Sequence, residues 1–245
     1  VGISRAYMYD EQLGYRLKPG AHSQLTDHLQ EIQVNQLGTV NYQESFASYE
    51  LLIFALGDSF TQGTGNAPDV AYPFQLDLSL NQDADGNYKR RYGVVNLGLA
   101  AYGGKQSLLV LERYSTLIGA PAVVLYVGSE NDAYDDELFA SGYRHGHLVE
   151  GNPRRRWLQF PSRLFESSQL FQRAKIALSR LRRSKIVGRD TQPVASDQSS
   201  VAELQWPVIQ QIQETCCTNG AKLIVSWASG NVSYSWLKQK AETHG

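Results

Sequence analysis

Leu51-Leu52-Ile53-Phe54-Ala55-Leu56-Gly57-Asp58-Ser59-Phe60-Thr61-Gln62-Gly63 is the stretch that decides the fold. Six apolar residues in an unbroken run, ended by a glycine, read as a strand buried on both faces, because a strand with one wet face would alternate. Working outward, three runs of the same kind follow: Tyr92 to Leu97 leading into Gly98, Ala122 to Val127 leading into Gly128, and Ala221 to Trp227. Between them lie helical patterns at Tyr72 to Leu80, Lys105 to Leu117 and Val201 to Thr218, the last closed by Asn219-Gly220 as a C-cap. Strand and helix in alternation imply right-handed crossovers and a parallel sheet covered on both faces. The fold class is therefore α/β, three layers, α/β/α.

Two segments stand apart from this rhythm. Residues 1–50 are polar and turn-rich, with Tyr15-Arg16-Leu17-Lys18-Pro19-Gly20 as punctuation, and Glu31-Ile32-Gln33-Val34 alternates as an edge strand would. They read as an N-terminal embellishment of a domain that runs from 51 to 245. Residues 133–200 offer no convincing strand and are too long for an ordinary connection, so they read as a helical insertion. Its centre, Leu164 to Leu181, has the apolar spacing of an amphipathic helix. From Glu150 to Asp190 there are 11 basic residues against three acidic ones. That excess reads first as a solvated helix face, with a lid or a surface for an anionic partner as the functional alternatives.

Composition sets outer bounds. A chain of 245 residues that is 42% hydrophobic can bury one full core. A net charge of -1 gives no global field to draw nucleic acid or an anionic membrane, so no nucleic-acid partner is expected. Cys216 and Cys217 are adjacent on a helical pattern and cannot reach disulfide geometry with each other. No run approaches the roughly 18 apolar residues of a membrane span. The chain opens on Val1, so a preceding segment carrying any signal or anchor is expected, and membrane association is expected only through such a segment. Localisation stays open, with export or the periplasm preferred to the cytoplasm.

The chemistry-bearing residues sit where the strands end. Ser59 stands just past the carboxyl end of a parallel strand, in the crevice where open α/β sheets bind ligands, and Gly57 permits the tight turn that leads to it. The spacing is not the G-x-S-x-G elbow. The second strand ends in Asn96-Leu97-Gly98-Leu99-Ala100-Ala101-Tyr102-Gly103 and the third in Gly128-Ser129-Glu130-Asn131-Asp132. Three strand ends thus converge on one rim.

These three segments, in this order, resemble the SGNH/GDSL hydrolases, whose motifs are Gly-Asp-Ser, an Asn-led segment supplying a backbone N–H, and Gly-x-Asn-Asp. The match spans residues 51–132, and Leu13-Gly14-Tyr15-Arg16 with Lys18-Pro19 looks like the leader of some members. The resemblance implies a flavodoxin-like parallel sheet with Ser59 as nucleophile. It implies an oxyanion hole made by the N–H groups of Ser59 and Ala101 and by the Asn131 amide, with Asp58, Gly98 and Asp132 lining the substrate. One departure is that the glycine of the second motif, counted from Asn96, falls on Ala101. A second is that no histidine fits the family's Asp-x-x-His: Pro19, Leu25, Gly142, Arg144 and Ala241 stand three residues before His22, His28, His145, His147 and His244. The last strand, its loop and the general base are expected beyond Gly245, and the chain as given is expected to be a poor catalyst.

No cofactor is implied, and no metal. His145 and His147 alternate but lack a third ligand at suitable spacing, and Glu130, Asp132, Asp135, Asp136 and Glu137 lack the spacing of a calcium loop and read as a solvated rim. The 14 tyrosines and four tryptophans read chiefly as core. The expected function is cleavage of acetyl or other short-chain esters, small or carbohydrate-linked, through a Ser59 acyl-enzyme. Two alternatives are O-acyl transfer to a polysaccharide and a non-catalytic binding module that kept the fold and lost the base.

Overall fold

All four apolar runs form strands of one parallel sheet in the computed structural model, which describes residues 6–25, 30–83, 85–140, 198–228, 238–240 and 242. Four strands precede them: β1 (Tyr7–Asp10), β2 (Gly14–Leu17), β3 (His22–Leu25) and β4 (Gln30–Gln33). The sheet itself consists of β5 (Leu51–Gly57), β6 (Tyr92–Asn96), β7 (Val123–Gly128) and β8 (Lys222–Trp227), in the order β6-β5-β7-β8. Its first strand in sequence is thus central, with the second on one side and the third and fourth on the other. This is the flavodoxin-like succession, whose switch point, the place where such sheets bind ligands, lies between the first and third strands. Here that point lies between the ends of β5 and β7.

Burial follows from position in the sheet. Ile53 to Gly57 are buried, as are Val94, Val95, Val124 and Tyr126. β8 is different: Lys222, Ile224 and Ser226 are exposed while Leu223, Val225 and Trp227 turn inward, so its apolar run has one wet face. Helix α2 (Tyr72–Asn81) packs on β6, and α3 (Gly104–Ile118) packs on β5 and on the long helix α5 (Gln198–Thr218). The helices flanking the sheet complete three layers.

Helix α5 ends where the sequence predicts. Gly220 takes φ +70°, its N–H bonds to Cys217 O, and Ala221 N–H reaches back to Cys216 O at 2.8 Å. That 6→1 and 5→2 pair satisfies two terminal carbonyls. On the same helix, Cys216 faces the core and Cys217 faces solvent.

The N-terminal segment is built into this body. β1 pairs with β2 and β3 with β4 as two antiparallel hairpins, so the strand expected near Ile32 joins its own hairpin and not an edge of the main sheet. The first hairpin is held to α3 by Arg113, which donates to Asp10 at 2.7 and 3.0 Å, and by Gln106, which donates to Leu13 O at 2.7 Å. Leu13, Tyr15, Leu17, Ile32, Val34 and Phe46 lie in the same apolar core as Phe54, Val95 and Val124. Helix α4 (Asp132–Ala140) leads away from β7. The expected helix at Leu164 to Leu181 and the basic stretch lie outside the described residues.

A substitution at Gly220 isolates a conformational cost, because a Cβ there would meet nothing within 4 Å. Gly220→Ala is expected to lower the unfolding free energy by about 1 kcal/mol, the penalty of a left-handed alanine, measured by urea titration. An unchanged midpoint would contradict the cap.

Candidate active site

The site begins with a turn that only glycine tolerates. Gly57 has φ +147°, and a Cβ there would lie 2.5 Å from both Thr61 Oγ1 and Val127 O. The next residue, Asp58, caps the single-turn helix α1 (Ser59–Gln62), its Oδ1 accepting from Phe60 N–H at 2.9 Å. Gly63 ends that turn in the left-handed region at φ +80°. Ser59 is half-buried at the first helical position, and Phe60 beside it is 56% exposed. Neither the Ser59 Oγ nor its N–H has a hydrogen-bond partner among the described residues. Such an N–H is one of the orphan donors at a helix start.

The second strand end runs beside the first. Leu97 N–H donates to Ala55 O at 2.9 Å and Leu99 N–H to Gly57 O at 3.1 Å, so the chain follows β5 down to the turn. Gly98 allows this approach, since a Cβ on it would lie 2.5 Å from Thr61 Cβ and 2.6 Å from Gln62 N. Tyr102 N–H then closes a turn onto Leu99 O at 3.0 Å. Ala101 occupies that turn at φ +61°, the single non-glycine positive φ among the described residues. Its N–H has no partner among them either.

The third strand end is tied to the first through Ser129. Its Oγ lies 2.9 Å from Asp58 Oδ2, 2.7 Å from Asn131 Oδ1 and 2.8 Å from Asp132 Oδ1. One hydroxyl carries one hydrogen, so the three oxygens compete for it. Asp132 is the carboxyl among them whose protonation is favoured. Burial pushes its carboxyl up to about 7, against the hydrogen bonds from Ser129 and Tyr126, and the charge of Asp58 adds to the rise. Its Oδ1 accepts from Ser129 Oγ, and its Oδ2 accepts from Tyr126 Oη at 2.8 Å and from Ser129 N–H at 3.2 Å.

Asn131 is exposed, yet its amide is turned onto two carboxylates: Nδ2 donates to Asp135 Oδ2 at 2.8 Å and to Asp58 Oδ2 at 3.3 Å. An oxyanion would have to displace the longer of these bonds. Asp136 serves another element. Its Oδ1 accepts from Lys105 N–H at 2.9 Å, in the first turn of α3, and Gln205 donates to its Oδ2 at 3.1 Å.

The placement of the expected residues divides in two. Ser59, Ala101 and Asn131 stand on three adjacent strand ends with some solvent access. Asp58 and Asp132 are 1% exposed and Gly98 is buried, and their hydrogen-bond partners among the described residues are Ser129, Tyr126 and Asn96 with their neighbours. The acidic cluster is a solvated rim only at Glu130 and Glu137, which are exposed: Asp132, Asp135 and Asp136 are buried on the inward face of α4, at i, i+3 and i+4, because Ser129, Asn131, Lys105 N–H and Gln205 meet them there. Ser129 itself had no role in the sequence reading. A signal was present: counted back from Asn131, the motif's glycine falls on Ser129, and a hydroxyl in its place gives the loop its hub.

Of the five histidines, His22 is exposed on β3 and the other four, His145 and His147 among them, lie outside the described residues. No group of three or more His, Cys, Asp or Glu among the described residues is arranged to hold a metal ion. A cavity of about 30 Å³, room for roughly one water, lies between the first hairpin and Leu97 to Tyr102; its lining includes none of Ser59, Ala101 and Asn131.

No family model matches the chain, and no curated protein does. Among solved structures, a point mutant of the esterase AlinE4 is similar, with 16% identity, a TM-score of 0.32, and coverage of 75% of this chain and 77% of that one. Function therefore has to be read from the site itself.

The Asp132 proton gives a pH prediction. Unfolded, the carboxyl ionises near 4; folded, it keeps its proton to about pH 7. Between these values the unfolded state binds fewer protons, so stability falls as pH rises and levels off above about 7. Asp132→Asn mimics the protonated acid, and its unfolding free energy should fall less steeply than that of the wild type between about pH 5 and 8. Urea titrations at both pH values check this. Parallel slopes would place the proton elsewhere.

Proposed function

We propose that this chain is the serine-bearing body of an ester hydrolase acting on acetyl or other short-chain esters, small or carbohydrate-linked. One observation carries the reading. A Ser59 Oγ and the N–H groups of Ser59 and Ala101, all without a partner among the described residues, stand on neighbouring strand ends beside the switch point of a doubly wound sheet. Unengaged donors next to a nucleophile are what acyl transfer needs, because negative charge grows on the carbonyl oxygen as the serine attacks. The resemblance of the three motifs to SGNH/GDSL hydrolases supports the same reading.

In the proposed step, Ser59 Oγ bonds to the acyl carbon and the Ser59 and Ala101 N–H groups meet the oxyanion. The carbon–oxygen bond to the alcohol then breaks, and the proton from Ser59 passes through a base to the leaving oxygen. Asn131 joins as third donor by releasing its 3.3 Å bond to Asp58. Water then attacks the acyl carbon, the bond to Ser59 Oγ breaks, and the proton of the water returns through the base to Ser59; a sugar hydroxyl in place of water makes the reaction O-acyl transfer. No described residue bonds to Ser59 Oγ as a base would.

A second reading, a non-catalytic binding module, is favoured by one feature: both Asn131 amide hydrogens are already taken up by carboxylates.

The test is the initial rate against p-nitrophenyl acetate, for the 245-residue chain and for the full reading frame that encodes it, each with and without Ser59→Ala. A serine triad deprived of its histidine loses on the order of a million-fold in turnover. With no base bonded to Ser59 Oγ among the described residues, the 245-residue chain is expected to be slow, and any faster turnover by the full reading frame to depend on Ser59. Adding an oligosaccharide acceptor separates hydrolysis from transfer. A full-frame product whose rate ignores Ser59→Ala would leave the binding module standing.

A further inference from the structure

We propose that Tyr15, on the N-terminal hairpin, is a positioning residue that fixes the direction and strength of the Ala101 N–H donor; its part in catalysis rests on the hydrolase reading above. The Ala100 carbonyl and the Ala101 N–H are the two ends of one peptide unit. In a trans peptide they point in opposite directions, so whatever holds the carbonyl aims the N–H. Tyr15 Oη donates to Ala100 O at 2.5 Å, across 85 residues of sequence.

The phenol is itself held in place. Tyr15 is 8% exposed, and its ring lies edge to face against Tyr102, centroids 5.3 Å apart, and against Tyr7 at 6.0 Å. Tyr102 Oη returns a bond to Tyr15 O at 2.5 Å, making the contact between hairpin and loop reciprocal. Burial raises the Tyr15 phenol well above its ordinary range, so it remains a donor.

The preceding peptide is fixed from the other side. Ala100 N–H donates to Gln62 Oε1 at 2.8 Å, and Gln62, 4% exposed on the nucleophile's own helical turn, also accepts from Thr64 Oγ1 at 3.0 Å. Both holds are on Ala100, immediately before Ala101, which takes the left-handed conformation that a residue with a Cβ disfavours. Strained backbone persists where its surroundings over-determine it. The Tyr15 bond also polarises the peptide: a donor on the carbonyl makes the N–H of the same unit a stronger donor in turn.

Tyr15→Phe removes one oxygen and keeps the ring. In the full reading frame it is expected to lower the Ser59-dependent kcat about tenfold with KM little changed, less than the roughly hundredfold or more of losing a donor outright. In the ¹⁵N-labelled 245-residue chain the Ala101 amide resonance is expected to shift and exchange faster. Tyr114→Phe is the control, since it removes a half-buried phenol whose bonds go to Leu37 O at 2.8 Å and Gly38 O at 3.4 Å; it should cost stability and leave Ala101 where it was. If Tyr15→Phe does not fold, 3-fluorotyrosine at position 15, a stronger acid, should move the Ala101 resonance in the opposite sense.

An Ala101 resonance untouched by either change overturns the proposal. So does a shifted resonance with unchanged Ser59-dependent kcat, which would confine Tyr15 to structure. If the wild-type full frame shows no Ser59-dependent turnover, the hydrolase reading falls, and the Ala101 resonance alone decides whether Tyr15 aims that peptide.

Discussion

The Asp58 carboxylate joins what would otherwise be two independent loops. One of its oxygens caps the turn that presents Ser59, and the other meets Ser129 Oγ and Asn131 Nδ2 on the end of the neighbouring strand. Parallel strands in register bring their carboxyl ends level, Gly57 opposite Val127, but leave the loops beyond them undetermined. The carboxylate removes that freedom. Because it is 1% exposed, its interactions act at a lower effective dielectric than at the surface, and each is stronger for it. The same burial raises the carboxyl of Asp132, on the far side of Ser129, to about 7, and the charge of Asp58 adds to the rise.

The architecture was legible because it is written in apolar runs and glycines. Leu51 to Leu56, Tyr92 to Leu97 and Ala122 to Val127 announce buried parallel strands, and Asn219-Gly220 announces a helix end, since in each case one local physical requirement excludes most other residues. The three strand-end motifs were equally plain. Polar pairing was not legible. The acidic cluster after Asn131 looks like solvated surface in sequence, and only the geometry of α4 shows Asp132, Asp135 and Asp136 turned inward to partners drawn from β7, α3, α5 and the loop after β7. Ile32 likewise carries the alternation of a strand without saying which strand it joins, because register is set by a partner's side chains.

Residues 1–50 looked like an addition to the domain because they lack the strand–helix rhythm. The structure gives those of them that it describes a share of its interior. Leu13, Tyr15 and Leu17 alternate with Gly14 and Arg16 along the start of the hairpin's second strand, and the odd-numbered set enters the common core while Asp10 and Arg113 pin the hairpin to α3. A two-stranded hairpin is marginal by itself, so its form depends on this packing. What it offers the loop in return is a rigid polar tip, Tyr15 Oη, that reaches Ala100 from a direction α1, α3 and the sheet do not supply.

That geometry bears on why an alanine can stand where the resemblance would have a glycine. A glycine reaches φ +61° without penalty, but it also populates other conformations with ease, and a donor on such a turn would be poorly aimed unless the rest of the loop restrained it. With alanine the turn starts from a less favourable conformation and has fewer alternatives. The two bonds on Ala100, from Tyr15 to its carbonyl and from its N–H to Gln62, remove most of those that remain. The methyl group thus changes where the constraint comes from: less from the sequence of the loop itself, more from the hairpin and the Ser59 turn on either side of it. A loop held in this way depends on residues far from it in sequence, and the N-terminal hairpin becomes part of the site's structure.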